Sequence, residues 1–397
     1  MRTSLRPPKF TTSIQLLIVI VGTLLFGDLL PYSVKAAFYS ISLTLKSLLL
    51  FVLPFIVFSC LFSSLLTISG GKALRFILVL FTVVCLSNYM STLVAYIVAS
   101  LKLVNIGLAS ISFGPNDELL PLWNIEFPEW IPNNYALYFG FGLGFVFSFF
   151  SSKLVRQFSI HSKQFVSLFL EKGFVPLLPL FALGFILKMQ FDGVLIQSIK
   201  YCLPLMLLII LTYIFYITLL FAIVANFNFI LWKKYLKNVL PAGLTGFSTM
   251  SSLVAMPLTI KAAEKNTEDP DISHLVIPAT VNIHMIGFAI NVPLMALSIL
   301  LSFGYELPTF ELYSKFAYFF ILTQFAAAAA PGCGILLMIP LLETHLGFTG
   351  EMSALITTLY IIFDPAETSA NILGNSVLVI MISKIYKYWQ KKETKEI

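Results

Sequence analysis

Near the C-terminal end of the chain the stretch IIFDPAETSAN, Ile361 to Asn371, sets two carboxylates, Asp364 and Glu367, into an otherwise apolar run. Together with Thr368, Asn371 and Asn375 they stand at offsets 0, 3, 4, 7 and 11, which on a helix of 3.6 residues per turn is a single stripe. Ile361, Phe363, Ile372, Leu373 and Val377 take the other faces. A carboxylate facing lipid costs several kcal/mol, so the stripe must face the protein interior or a watery cavity. A structural polar seam could account for one Asn or Thr bonding to a neighbouring helix. Two acids with three further polar groups point instead to a solute or ion site.

A second set lies in IPATVNIHMIGFAINVP, Ile277 to Pro293, where Asn282, His284 and Asn291 interrupt an apolar run. Pro278, Gly287 and Pro293 weaken a helix there. A broken helix exposes carbonyls that can coordinate a cation and N-termini that attract a carboxylate. His284 by itself reads more readily as a satisfied buried histidine, and only beside the polar stripe does a functional reading draw level.

The elements that must position these residues follow from composition. With 58% hydrophobic and 11% charged residues among 397 and a mean hydropathy of +0.92, the solvent of this chain is mostly lipid. Apolar runs near 12–31, 38–68, 74–101, 135–152, 165–189, 201–227, 275–303 and 351–386 are long enough to cross about 30 Å of hydrocarbon as helices. The fold expected is therefore all-α and polytopic, with eight spans. The first run follows Arg2, Arg6 and Lys9 but has no small-x-small cleavage site before Pro31, so it reads as a retained helix. Cys60, Cys85, Cys202 and Cys333 stand singly, without a disulfide frame or zinc spacing. The net charge of +6 falls in connections and tails rather than in a patch for nucleic acid, so no nucleic-acid partner is expected.

Basic residues fix the orientation. Arg2, Arg6 and Lys9; Lys72 and Arg75; Lys153, Arg156 and Lys163; Lys233, Lys234 and Lys237; and Lys384, Lys387, Lys391, Lys392 and Lys395 occupy alternate connections, the cytoplasmic ones. Both termini are then cytoplasmic, in a bacterial inner (plasma) membrane. The connection FGPNDELLPLWNIEFPEW, with Asp117, Glu118, Glu126 and Glu129, lies outside, and Trp123 and Trp130 serve as interfacial anchors. Two further apolar stretches, near 238–260 and 316–343, must each enter and leave on one side. They read as re-entrant helical hairpins, with tips at Ser251-Ser252 and at Pro331-Gly332-Cys333-Gly334. Non-helical backbone at that depth is tolerated only inside protein or along a cavity, and paired hairpins are what an inverted repeat produces.

Six spans, a hairpin, a broken seventh span, a second hairpin and a polar eighth span together resemble the dicarboxylate/amino acid:cation symporters, the glutamate transporter homologues. The family's serine-rich first tip is matched by Ser251, Ser252, Met256 and Pro257. Its Asn-Met-Asp-Gly-Thr reads here His284-Met285-Ile286-Gly287-Phe288, and its Val-Pro-Gly-Ala-Gly reads Ala330-Pro331-Gly332-Cys333-Gly334. Its Asp-x-x-Arg-Thr-x-x-Asn-x-x-Gly-Asp reads Asp364, Glu367, Thr368, Asn371, Gly374 and Asn375. The resemblance implies that residues 1–235 are a trimerisation scaffold with supporting helices, and that residues 236–397 are a transport core moving across the bilayer of a homotrimer. It also implies a solute site of Ser251, Ser252, Pro331, Gly332, Asp364, Glu367, Thr368 and Asn371, with Asp364 on an ammonium and Asn371 on an α-carboxylate. Cation coupling would involve His284, Gly287, Asn371 and Asn375, with transported Na+ or H+, no cofactor and no tightly bound metal.

The departures shift the expectation further. The arginine that grips an acidic side chain in the family is Glu367 here, and two carboxylates associated with sodium are Ile286 and Asn375. A neutral or cationic amino acid is expected rather than glutamate. Rival readings are a channel, a solute sensor, and an intramembrane hydrolase using Ser252 with His284 or Asp364 with Glu367. No pore-like repeat or protease-like motif supports the first or the last, and the protein is not expected to be an enzyme.

Overall fold

The computed structural model describes residues 12–66, 74–103, 119–128, 130–131, 133–150, 152–193, 195–327 and 334–393. All regular structure among them is helical. The N-terminal half contributes α1 (Thr12–Phe26), α2 (Tyr32–Leu66), α3 (Leu74–Val98), α4 (Asn133–Phe150), α5 (Lys153–Leu168), α6 (Leu178–Phe191) and α7 (Leu195–Val224). The C-terminal half contributes α8 (Phe229–Thr249), α9 (Ser252–Thr267), α10 (Pro270–Thr280), α11 (Ile286–Ser302), α12 (Phe310–Ala327), α13 (Gly334–Leu346) and α14 (Gly350–Glu393). Three segments among the described residues are long and apolar enough to cross a membrane: Leu78–Leu103, Pro204–Val224 and Ile362–Lys387.

Local chemistry explains the breaks in the C-terminal half. Asn228 starts α8 by accepting from the backbone N–H of Ile230 at 3.0 Å and of Leu231 at 3.1 Å. Met250, left-handed at φ 50°, ends it. Ser251 then caps α9 by accepting from the Val254 N–H at 3.4 Å. The reversal between α8 and α9 is two residues long and falls at Met250 and Ser251. Glu268, at φ 55°, and the capping Asp269 make the next corner. The polar stretch from Lys261 to His274 is therefore mostly helical.

The apolar run read as a seventh span is interrupted, but not where its prolines suggested. Pro278 and Pro293 both sit inside helices, in α10 and α11, and the interruption spans residues 281–285. Asn88 of α3 holds that interruption from outside. Its amide donates to the Ile283 carbonyl at 2.9 Å, and its carbonyl oxygen accepts from the Met285 N–H at 3.2 Å. The interrupted backbone is thus served by side chains from neighbouring elements.

The fifth apolar run also differs from expectation. Helix begins at Lys153, capped by Ser152, and a wide turn over Phe169–Phe174 and a tight one over Val175–Leu177 precede α6. Pro176 and Pro179 lack the N–H groups a continuous helix needs. Lys153 and Arg156, read as connection residues, belong to α5, which exposes Leu154, Phe158 and Phe165 and buries Val166 and Ser159. The C-terminal lysines are likewise not a simple solvated tail. Lys384 donates to the Val224 carbonyl at 2.5 Å, and Lys387 to the Thr267 carbonyl at 2.9 Å, so each neutralises the negative end of a helix.

Ionic contacts join the two halves. Lys46 of α2 lies 2.6 Å from Glu343 of α13, which also accepts from Ser353 of α14 at 2.9 Å. Lys188 of α6, 2% exposed, lies 2.8 Å from Asp192 and 3.7 Å from Glu351, with the Tyr39 ring 5.5 Å away. Removing one partner of a buried pair strands the other charge, at a cost of about 3–5 kcal/mol. Lys188→Met is therefore expected to lower the thermal unfolding temperature of the purified protein clearly. An unchanged transition would show that this pair contributes nothing net.

Candidate functional site

The stripe on α14 lies against α7, α8, α11 and the start of α13. On the α8 side Gly246 makes the approach possible, since a Cβ there would run into the Ile372 side chain and come within 3.4 Å of Thr368. On the α11 side a Cβ at Gly287 would stand 2.5 Å from the backbone oxygen of Glu367, so only glycine lets the two backbones meet. Gly287→Ala is expected to cost about 1–3 kcal/mol through overpacking and to spread the site. Measured stability and affinity equal to those of the unchanged protein would contradict that close contact.

The residues of the stripe have different partners. Asp364, half-buried, accepts from the Thr368 hydroxyl at 3.2 Å through one oxygen. The buried Glu367 accepts from the Tyr360 hydroxyl at 3.0 Å through Oε1 and from the Asn291 amide at 2.8 Å through Oε2. Asn371 accepts from the backbone N–H of Gly287 at 2.8 Å and of Phe288 at 3.4 Å. It thereby caps the N-terminus of α11, a helix whose own preceding residue, Met285, supplies no side-chain cap. The Asn375 amide donates to the carbonyls of His284 at 3.1 Å and Asn371 at 2.9 Å, while its oxygen accepts from Thr280 at 2.9 Å.

The structure therefore brings together Asp364, Glu367, Thr368, Asn371, Asn375, Gly287 and the backbone of His284. Ser251 and Ser252 are half-buried at the turn between α8 and α9. Pro331 and Gly332 lie outside the described residues. Gly334, next in the second tip, begins α13 beside the site, where a Cβ would be 2.9 Å from Phe288 and 3.6 Å from the Tyr360 hydroxyl. The His284 ring points to α3, its Nε2 2.8 Å from the Ser87 hydroxyl. Among the described residues no three His, Cys, Asp or Glu side chains could hold a metal ion.

Sequence reasoning missed the supporting groups. Ser87 and Asn88 hold the broken span from α3, Tyr213 of α7 donates to the Gly287 carbonyl at 3.0 Å, and Tyr360 holds Glu367. Only Tyr360 left a readable signal, since it precedes Glu367 by seven residues and so shares its helical face. Chemically, the arrangement offers a carboxylate with one free oxygen, which suits an ammonium, and two carbonyls that converge on one point as they would on a small cation, here met by the Asn375 amide.

The profile of the Sodium:dicarboxylate symporter family matches residues 13–385. A Caenorhabditis elegans protein whose name describes a sodium-dependent excitatory amino acid transporter is 30% identical over 38% of this chain and 30% of its own length. The proton/sodium-glutamate symport protein of Bacillus subtilis is 27% identical over 43% of this chain and 39% of its own. That of Geobacillus stearothermophilus is 26% identical over 41% and 38%. The matched region thus spans well under half the length of each relative.

Proposed function

Because the chain belongs to the sodium:dicarboxylate symporter family, and is therefore an integral membrane transporter coupled to a cation and not an enzyme, we propose that its solute is a neutral or cationic amino acid rather than glutamate. The observation that carries this reading is Glu367 in the stripe. Family resemblance puts there an arginine that grips an acidic side chain, and a carboxylate in its place repels one. Asp364 survives, with one oxygen beyond the Thr368 bond, and takes the solute ammonium. The Asn371 amide nitrogen, which makes no hydrogen bond with the described residues, takes the α-carboxylate. Ser251 and Ser252 from the first tip, and Pro331 and Gly332 from the second, close over the solute, with Thr368 on the floor.

The groups that the family resemblance assigns to cation coupling, His284, Gly287, Asn371 and Asn375, lie at the interruption between α10 and α11, with the Asn375 amide standing where an ion would be. Residues 1–235 form the fixed scaffold of a homotrimer, and residues 236–397 carry the solute across in the manner of an elevator, in a bacterial inner membrane with both termini cytoplasmic. The deciding experiment is reconstitution in liposomes with labelled amino acids under separately imposed sodium and proton gradients. Tight uptake of aspartate or glutamate would end the charge-reversal argument. For the architecture, paired cysteines between α2 and the second hairpin should trap distinct states, and cross-linking in membranes should yield trimers. Monomers alone would refute the assembly.

A further inference from the structure

We propose that Glu367 is the proton-carrying group of the transport cycle, held in both its protonation states by Asn291 and Tyr360, and that the solute travelling with this proton is a neutral amino acid. The inference rests on reading α14 as the solute-bearing helix and deepens it by assigning the coupling ion and the solute class. Glu367 is 3% exposed, and its two oxygens face Asn291 and Tyr360. On its own helix stand Asp364 and Tyr360, and on α7 stands Tyr213. From the packed elements, α11 presents Asn291 to its Oε2 and Phe288 to the Tyr360 ring, α13 brings Gly334 near the Tyr360 hydroxyl, and α8 brings Gly246 near Thr368, the next residue on α14. None of these groups is a cation, so nothing among the described residues neutralises the carboxylate as a lysine or arginine would.

Both partners can reverse their hydrogen bonds. The Tyr360 hydroxyl donates or accepts by rotating its hydrogen. Asn291 is fully buried, its nitrogen donates to Glu367, and its Oδ1 has no hydrogen-bond partner among the described residues. When a proton settles on Oε2, turning the amide over brings Oδ1 to the new O–H as its acceptor. One end of the amide is left over in either state, so the two states are matched in lost hydrogen bonds. An arginine or lysine partner would favour the ionised state alone. Apolar surroundings would favour the protonated state alone. A reversible pair is what a group that must load and unload a proton requires. With both oxygens engaged inside the protein, Glu367 does not serve as counter-ion to a cationic solute. The only ammonium acceptor on the stripe is then Asp364, which suits a zwitterion.

Infrared spectroscopy of the full chain in lipid, titrated in pH without any solute, tests the proton site directly. We expect a protonated-carboxyl absorption that titrates, is lost in Glu367→Gln and is kept in Asp364→Asn. Asn291→Leu removes both ends of the amide and should move the titration midpoint by about one unit or more, a tenfold change in proton affinity. Monodisperse elution and an unchanged helical spectrum show that each variant is folded. In liposomes, alanine, serine and leucine should accumulate up to about tenfold per unit of imposed pH gradient, and that drive should vanish in Glu367→Gln. A carboxyl band that Glu367→Gln leaves untouched overturns the proposal. So does uptake confined to lysine or arginine. If no amino acid in the panel moves, the transport reading fails, while the infrared result still decides the proton site.

Discussion

Asp364→Asn is expected to lower amino-acid affinity about thirtyfold or more without loss of folded protein. The substitution is nearly isosteric, and the asparagine can keep the Thr368 hydroxyl that Asp364 accepts at 3.2 Å. What it removes is the charge, and losing one partner of a desolvated, hydrogen-bonded charge pair typically costs about 2–5 kcal/mol. Because the side chain is only half-buried, part of that loss can be made up by water, which sets the lower end. The measurement is equilibrium binding of a labelled solute to the purified variant, with elution profile and helical spectrum as controls. Affinity equal to that of the unchanged protein would take Asp364 out of the site and leave Glu367 as the only acid on the stripe to be explained.

The contrast between these two acids shows how much a sequence can reveal. Their common face follows from spacing alone, since offsets on one helix translate directly into one stripe. The turn between α8 and α9 was legible for the same reason: Ser251 and Ser252 are local signals, and a cap acts within three residues. What was not legible are interactions between elements far apart in the chain. His284 and Ser87, or Met285 and Asn88, are separated by 197 residues, and no local pattern says that α3 will lie against the broken span. The prolines misled for a related reason. Pro278 and Pro293 remove donors, but the neighbouring packing tolerates both inside helices. The break instead falls where Asn88 can satisfy the freed backbone. Glu367 was placed on the correct face, yet its partners Asn291 and Tyr360 turn it toward the protein, a distinction that side-chain geometry alone carries.

Asn375→Asp is expected to make the stability of the protein depend on sodium. In the unchanged chain the Asn375 amide nitrogen sits 3.1 Å from the His284 carbonyl and 2.9 Å from the Asn371 carbonyl. Two carbonyl oxygens converge on it as they would on a small cation, and its two N–H groups satisfy them without one. Its oxygen, turned the other way, accepts from Thr280 at 2.9 Å. Resemblance to the symporter family places a carboxylate associated with sodium at this position, so the amide stands where a charged group and its ion would be. With aspartate, the carboxylate oxygen that replaces the amide nitrogen faces two carbonyl oxygens in a fully buried place. An uncompensated buried charge costs about 3–5 kcal/mol, and an oxygen-lined gap of this kind is relieved by a hard monovalent cation. The variant should therefore unfold at a markedly lower temperature in choline medium and recover as sodium is added. At a hundred times the dissociation constant, sodium would return about 2.7 kcal/mol. The unchanged protein should show no such response at this position, because its amide already fills the gap. Equal sodium stabilisation of both proteins would mean that the cation binds elsewhere, and an unresponsive variant would mean that the carbonyls of His284 and Asn371 do not form a cation cage. The expected pattern would leave the unchanged chain with a neutral substitute at this position, and the proton on Glu367 as the charge that the transport cycle carries.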